Sequence, residues 1–370
     1  MIGNADETLA VNRPILRSWQ FWVGLVVSLV CLGLAVRDVN FGKIGVILNQ
    51  VMWGWLILAV LSVIVTFCVK ALRWQLLFLP DKRPPSFKAF SIQSIGMLLN
   101  TFAPARLGDL ARAYLLGESE HESKFYVLGT VAVEKLIDLL FTLFIFLLLL
   151  SHMVLPDWLT GPFPLLIWGI LIGFILVGAL VIKGDWFVDW IRFHLFRINP
   201  EKPEEASNTG ETISRFRALP WRWVNWASSR ARFALRSLDV FRQPRQLFWV
   251  ALWSTVSWLL SALTNYLVFE AIGLKLSIWT AFLLLLVLQI GVAVPSSPGR
   301  IGVFHYLTLI TLTFSGVENN IALSYGVLLH LIVVGSIGVV GMLCLWWEKV
   351  TWSKLAEMTG QFNALVKKVK

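Results

Sequence analysis

Six stretches of this chain are apolar for long enough to cross a lipid bilayer, and nothing else in the sequence narrows its architecture as much. A helical span takes about 20 apolar residues at about 1.5 Å each. The runs fall at 20–36, 53–79, 126–155, 162–183, 246–271 and 321–347. Lipid offers the backbone no hydrogen-bond partner, so spanning segments must be helices or a closed barrel. Continuous apolar runs, as opposed to alternating ones, select helices. Composition agrees, with 57% hydrophobic and 15% charged residues where soluble domains carry about 25% charged. The chain reads as all-α and polytopic, with the first run retained as an uncleaved anchor.

Two further apolar stretches, 86–118 and 277–315, are each interrupted by a cluster of Pro, Gly and Arg. Irregular chain at membrane depth survives only inside protein or beside a wet cavity, so these are expected to be re-entrant helical hairpins; a kinked crossing is the alternative for each. With about six full spans and two hairpins, one set of loops holds Arg13, Arg17, Lys82, Arg83, Lys88, Lys124, the basic residues from Arg192 to Arg245, and the basic tail, while the other holds Arg37, Lys43 and Lys275. The positive-inside rule makes the first set cytoplasmic, both termini included. The hairpins then enter from opposite faces, an inverted repeat of the kind that marks a midplane binding site in transporters. The breaks also match each other: Pro104, Ala105, Arg106, Leu107 and Gly108 align with Pro298, Gly299, Arg300, Ile301 and Gly302.

The expected division is a cytoplasmic segment 1–19, a transmembrane domain 20–350 and a basic tail 351–370. Within the domain, 184–245 forms a cytoplasmic loop. Its middle, 198–214, is polar and reads as a linker. Its flanks mix Trp, Phe and Arg, the composition of segments lying among headgroups. The formal charge of +10 sits mostly in loops beside spans, where it sets orientation and meets anionic lipid, so nucleic acid is not an expected partner. Cys31, Cys68 and Cys344 lie inside apolar runs, and neither a disulfide framework nor a metal site nor a cofactor is expected.

A charged side chain near the bilayer centre costs about 2.5–3.5 kcal/mol, so each one points to a cavity or a partner. The candidates are Arg106, Asp109 and Arg112 in the first hairpin, Glu134, Lys135 and Asp138 early in the third span, Arg300 and His305 in the second hairpin, and Glu270 and His330 on long spans. Proline is favoured at a helix start, so a half-helix opening near Pro104 would aim unpaired N–H groups inward beside Arg106, an arrangement suited to phosphate. Ser296, Ser297 and Pro298 ahead of Arg300 repeat the design. Alternatively, Arg106 pairs with Asp109 or Glu134 and merely holds the hairpin. Glu134 and Asp138 share a helix face, where they counter Arg106 and Arg112 or take up protons. Lys135 lies off that face and is expected to reach the cytoplasmic surface. His305 and His330 titrate near neutrality, although a lone histidine more often packs. No G-x-x-x-x-G-K-[ST], H-E-x-x-H, G-x-S-x-G or paired C-x-x-C is present, which excludes P-loop ATP hydrolysis and the common hydrolase sites.

The stretch Asn100-x-x-x-Pro104-x-Arg106-x-Gly108-Asp109-x-x-Arg112, followed by Val133-Glu134-Lys135-x-x-Asp138, resembles the first signature of the lysylphosphatidylglycerol synthase transmembrane-region family, which includes flippase-like proteins of UPF0104 type. Pro298-Gly299-Arg300-x-Gly302-Val303-Phe304-His305, with His330 in the last span, resembles its second. The family usually carries Glu where Asp109 stands, a small residue where Arg300 stands and Glu where His305 stands. The paired arginines are therefore a reading of this chain and are not carried over. The resemblance implies an integral inner-membrane protein that moves lipids or lipid-linked sugars between leaflets, without the soluble synthase domain. The leading expectation is a flippase or scramblase-like transporter of an anionic phospholipid or a polyprenyl-phosphate-linked lipid, and no enzyme. One alternative is a membrane glycosyl or acyl transferase using a polyprenyl-phosphate donor, with Glu134 and Asp138 as its acids. Another is a non-transporting partner of lipid-processing enzymes. A homo-oligomer and a lipid-modifying enzyme partner both stay open.

Overall fold

The computed structural model describes residues 19–37, 39–103, 107–161, 167–168, 236–291 and 296–351. The run at 162–183 and the Trp/Arg-rich flanks at 186–194 and 221–226 therefore lie outside the described residues, apart from 167–168. Among the described residues the regular structure is helical throughout. Helix α1 spans Trp19–Val36, α2 Phe41–Asn49, α3 Trp53–Gln75, α4 Ser86–Phe102, α5 Leu107–Ser119, α6 Lys124–His152, α7 Pro244–Ala271, α8 Ile278–Gly291, α9 Val303–Phe314 and α10 Asn319–Trp347.

Local chemistry sets the ends. Helix α7 opens on Pro244, whose missing N–H would have had no intrahelical partner. It closes with Gly273 at φ 73, where Gly273 N–H donates to the Glu270 carbonyl and Leu274 N–H to Phe269. Helix α9 ends the same way at Gly316, φ 85. Glycine at these positions takes the left-handed conformation without a Cβ clash. Helix α2 falls in the stretch 37–52, expected as a loop. Its signal is Asn40, whose side chain accepts from the N–H groups of Gly42 and Lys43 and so caps the helix.

Helices α3, α7 and α10 are long and apolar enough to cross a membrane, in agreement with three of the six expected runs. The fourth, α6, has 29 residues and carries Glu134, Lys135 and Asp138 in its first half. The 86–118 and 277–315 stretches each form two helices separated at the expected break, as α4/α5 and α8/α9.

The helices pack in a scheme that occurs twice. A long helix, a broken pair and a second long helix make up α3–α6 and again α7–α10. Helices α3 and α7 pack on each other; α5 packs on α6 as α9 does on α10; and the first limb of each broken pair packs on the last helix of the other set, α4 on α10 and α8 on α6. Three apolar cores fill the spaces between, around Trp74 and Ile92, around Phe67, Leu284 and Tyr325, and around Leu149 and Leu283. Helix α1 stands outside the repeat and packs on α9.

Candidate functional site

A cavity of about 310 Å³ lies where helices α3 to α10 converge, and both broken pairs contribute to its wall. Its volume falls within the range of ligand sites, about 300–1,000 Å³. Lys70, Arg112, Lys135 and Arg300 line it, against the carboxylates Glu134 and Asp138. Gln93, Asn100, Asn265 and Gln289 add amides, and Met97, Leu288, Phe304 and Leu329 are among its apolar lining.

The buried charges along one side are tied together. Arg73, fully buried, donates to Asp138 at 2.6 Å and to Glu134 at 3.2 Å. Arg112 donates to the other Glu134 oxygen at 2.5 Å, and its guanidinium lies 4.1 Å from the Trp74 ring. Trp74 is itself fixed by Nε1 donating to Thr130 Oγ1 at 3.1 Å. Charges removed from water must be paired to persist, and here two arginines meet two carboxylates. Lys70 and Arg300 also line the cavity. Among the described residues no carboxylate lies within ion-pair distance of Lys70.

Three buried polar atoms of residues that line the cavity have no hydrogen-bond partner among the described residues: Gln93 Oε1, Asn100 Oδ1 and Arg112 Nε. A buried polar atom without a partner costs about 1–3 kcal/mol, so a cluster of them around a cavity suits a polar occupant.

The expected site residues are divided by the structure. Asn100, Arg112, Glu134, Asp138 and Arg300 come together in the cavity wall. Asp109 stands one step behind, accepting from Asn100 Nδ2 at 2.9 Å and lying 3.7 Å from Lys135 Nζ. Glu134 and Asp138 counter Arg73 and Arg112, and Lys135 is among the residues that line the cavity. Helix α5 begins at Leu107 with Asp109 in its first turn, so its N-terminal dipole already meets a carboxylate. Pro104 and Arg106 lie outside the described residues. Gly108 is a packing position, where a Cβ would run into the Gly96 carbonyl.

At the second break, Pro298 opens a 3₁₀ turn to Arg300, with Gly299 at φ 72 and Arg300 at φ 58. Gly302, φ 92, caps α9 and lies against the Ser28 carbonyl of α1. Ser28 Oγ also accepts from Ser297 N–H at 2.7 Å, so α1 satisfies backbone that the break exposes. His330 and His305 stand beside this turn and are absent from the cavity lining. His330 Nε2 is 2.7 Å from the Gly299 carbonyl, and the two imidazole rings are 4.9 Å apart.

Lys70, Arg73 and Gln93 were missed as candidates in the sequence. Lys70 and Arg73 stand near the end of an apolar run, where cations are ordinary, and the spacing of three that puts them on one face of α3 was the available signal.

Residues 21–341 match the family described as the lysylphosphatidylglycerol synthase TM region. A UPF0104 membrane protein of Methanocaldococcus jannaschii is 26% identical over 248 residues, covering 66% of this chain and 92% of the relative. No solved structure matches the chain.

Proposed function

The chain belongs to the lysylphosphatidylglycerol synthase TM region family of membrane proteins, and from that premise we propose that it is a lipid transporter, of flippase or scramblase type, that carries an anionic phospholipid or lipid-linked phosphate headgroup between leaflets. The observation that carries this reading is the cavity shared by the two broken pairs, lined by lysine and arginine with apolar residues alongside. A phosphate gains from arginine and lysine in a low-dielectric site, and an acyl chain stays in lipid while its headgroup crosses.

The repeated packing scheme supports the inverted-repeat reading, in which the two breaks enter from opposite faces of the plasma membrane and the termini are cytoplasmic. Transport is favoured over group transfer because both members of the acidic pair, Glu134 and Asp138, are engaged by arginine and so are poorly placed as a general base.

The test is leaflet exchange of fluorescent phosphatidylglycerol in vesicles. Exchange is expected to be faster with protein than without, and to fall at least about tenfold in Arg300→Ala, the loss of one charge-assisted contact. Rates equal to protein-free vesicles overturn the proposal, as does turnover of a labelled polyprenyl-phosphate sugar without lipid exchange.

A further inference from the structure

A second pocket, of about 510 Å³, lies at the end of the bundle where α3 finishes and α7 begins, with Arg83, Arg245, Gln246, Trp249 and Trp253 in its wall. Among the described residues it shares no lining with the central cavity. Helices α3 and α7 are both long and apolar enough to cross a membrane, so their ends fall at the level of the lipid headgroups.

Arg245, Trp249 and Trp253 follow one another at intervals of four and therefore share one side of α7. Each interval advances about 6 Å along the helix axis. The order from the helix start is charge first and indole after, the order in which a phospholipid presents phosphate, glycerol and acyl chain. Tryptophan favours the boundary between headgroups and hydrocarbon, and Trp249 is 42% exposed.

Gln246 supplies the independent signal of a ligand. It is 5% exposed, and its Nε2 donates to the carbonyls of Leu76 and, at 2.9 Å, Phe78. Those bonds fix which end of the amide is oxygen. The buried Oε1 has no hydrogen-bond partner among the described residues, and a buried acceptor in a pocket wall calls for a donor. An exposed arginine beside a span is ordinarily an orientation charge. Arg83 and Arg245 differ in sharing a pocket with that acceptor and the indoles. Among the described residues no carboxylate lies within ion-pair distance of either, whereas the neighbouring Lys82 is held by Glu122.

We propose that this pocket binds an anionic phospholipid with a hydroxyl-bearing headgroup. Its phosphate lies against Arg83 and Arg245, its hydroxyl donates to Gln246 Oε1, and its acyl chains run along Trp249 and Trp253. A basic pocket between two spans suits such a headgroup, and guanidinium holds phosphate oxygens in pairs. A soluble phosphate would engage the arginines and leave the indoles without an occupant. The site is separate from the cavity and stands whether or not the protein transports lipid.

The test uses full-length protein in detergent, titrated with phosphatidylglycerol brominated on its acyl chains, which quenches nearby indoles. The chain has 19 tryptophans, so the component that disappears in Trp249→Phe/Trp253→Phe isolates these two. That component is expected to saturate with phosphatidylglycerol and to be at least about tenfold weaker in apparent affinity in Arg83→Gln/Arg245→Gln, the loss of charge-assisted contacts. In Arg300→Ala, which alters the central cavity, it is expected to be unchanged. Equal quenching of wild-type protein by brominated phosphatidylcholine, a comparison that needs no variant, overturns the proposal, as does an unaltered response in the arginine variant. Displacement of the brominated lipid by millimolar inorganic phosphate assigns the site to free phosphate and overturns the lipid assignment.

Discussion

Glu134 takes one arginine on each oxygen, Arg73 at 3.2 Å and Arg112 at 2.5 Å, and Arg73 reaches on to Asp138. Taking one member from such a group leaves a buried charge without its counterion, which costs about 3–5 kcal/mol. Arg73→Ala is therefore expected to lower stability by about that amount, seen as a lower midpoint in thermal unfolding of detergent-solubilised protein. An unchanged midpoint would show that the group is not buried as described. Arg300→Ala differs in kind. Its expected loss is in exchange and not in the unfolding midpoint, because Arg300 faces the cavity from a turn outside that group. The sequence marked Glu134, Asp138 and Arg112 because intramembrane charge is costly, and they do cluster. Arg73 escaped because a cation near the end of a run has an ordinary explanation; its partners, Glu134 and Asp138, are 61 and 65 residues further along the chain, a separation that no local pattern reveals.

At the scale of elements, the broken pairs depend on close approach at particular glycines. A Cβ on Gly108 would collide with the Gly96 carbonyl and with Asn100, so Gly108→Ala is expected to push α5 off α4 at a cost of about 1–3 kcal/mol. Gly335 of α10 has nothing within 4 Å of the corresponding position, and Gly335→Ala is expected to be neutral or to stabilise by up to about 1 kcal/mol. Opposite shifts in unfolding midpoint would check both. Helix α2 is held differently, with Asn40 N–H donating to Asn320 Oδ1 at 2.7 Å and Lys43 3.3 Å from Glu318. In the loop before α10, hydrogen bonds from Asn320 and Lys43 hold the Glu318 carboxyl below its usual range. A carboxyl lowered on folding contributes stability above its unfolded pKa and loses it as pH falls through the lower folded value. Hydrogen-exchange protection of α2 is thus expected to decline below the ordinary carboxylate range, and Glu318→Gln to remove that decline. The break positions and four long helices were legible from hydropathy and Pro/Gly placement. Helix α2 was not, since its nine residues are too short to show a period and its support comes from α10, far along the chain.

For the whole molecule, the resemblance and the family match agree on a membrane protein, and the packing adds what composition lacked: two sets of helices that exchange partners across a common cavity. The expected pair of arginines at the two breaks was Arg106 and Arg300; Arg300 lines the cavity, while Arg106 lies outside the described residues. The histidines expected in the site are absent from its lining, and His330 instead meets the carbonyl of Gly299 in the left-handed turn. The central claim is that this cavity holds the phosphate of a lipid. The most direct measurement is a structure of the protein in nanodiscs of phosphatidylglycerol. Phosphate density within hydrogen-bonding reach of Arg300 or Lys70 is the expected result; a cavity filled by side chains or by acyl chain, with phosphate confined to the membrane surfaces, would contradict it.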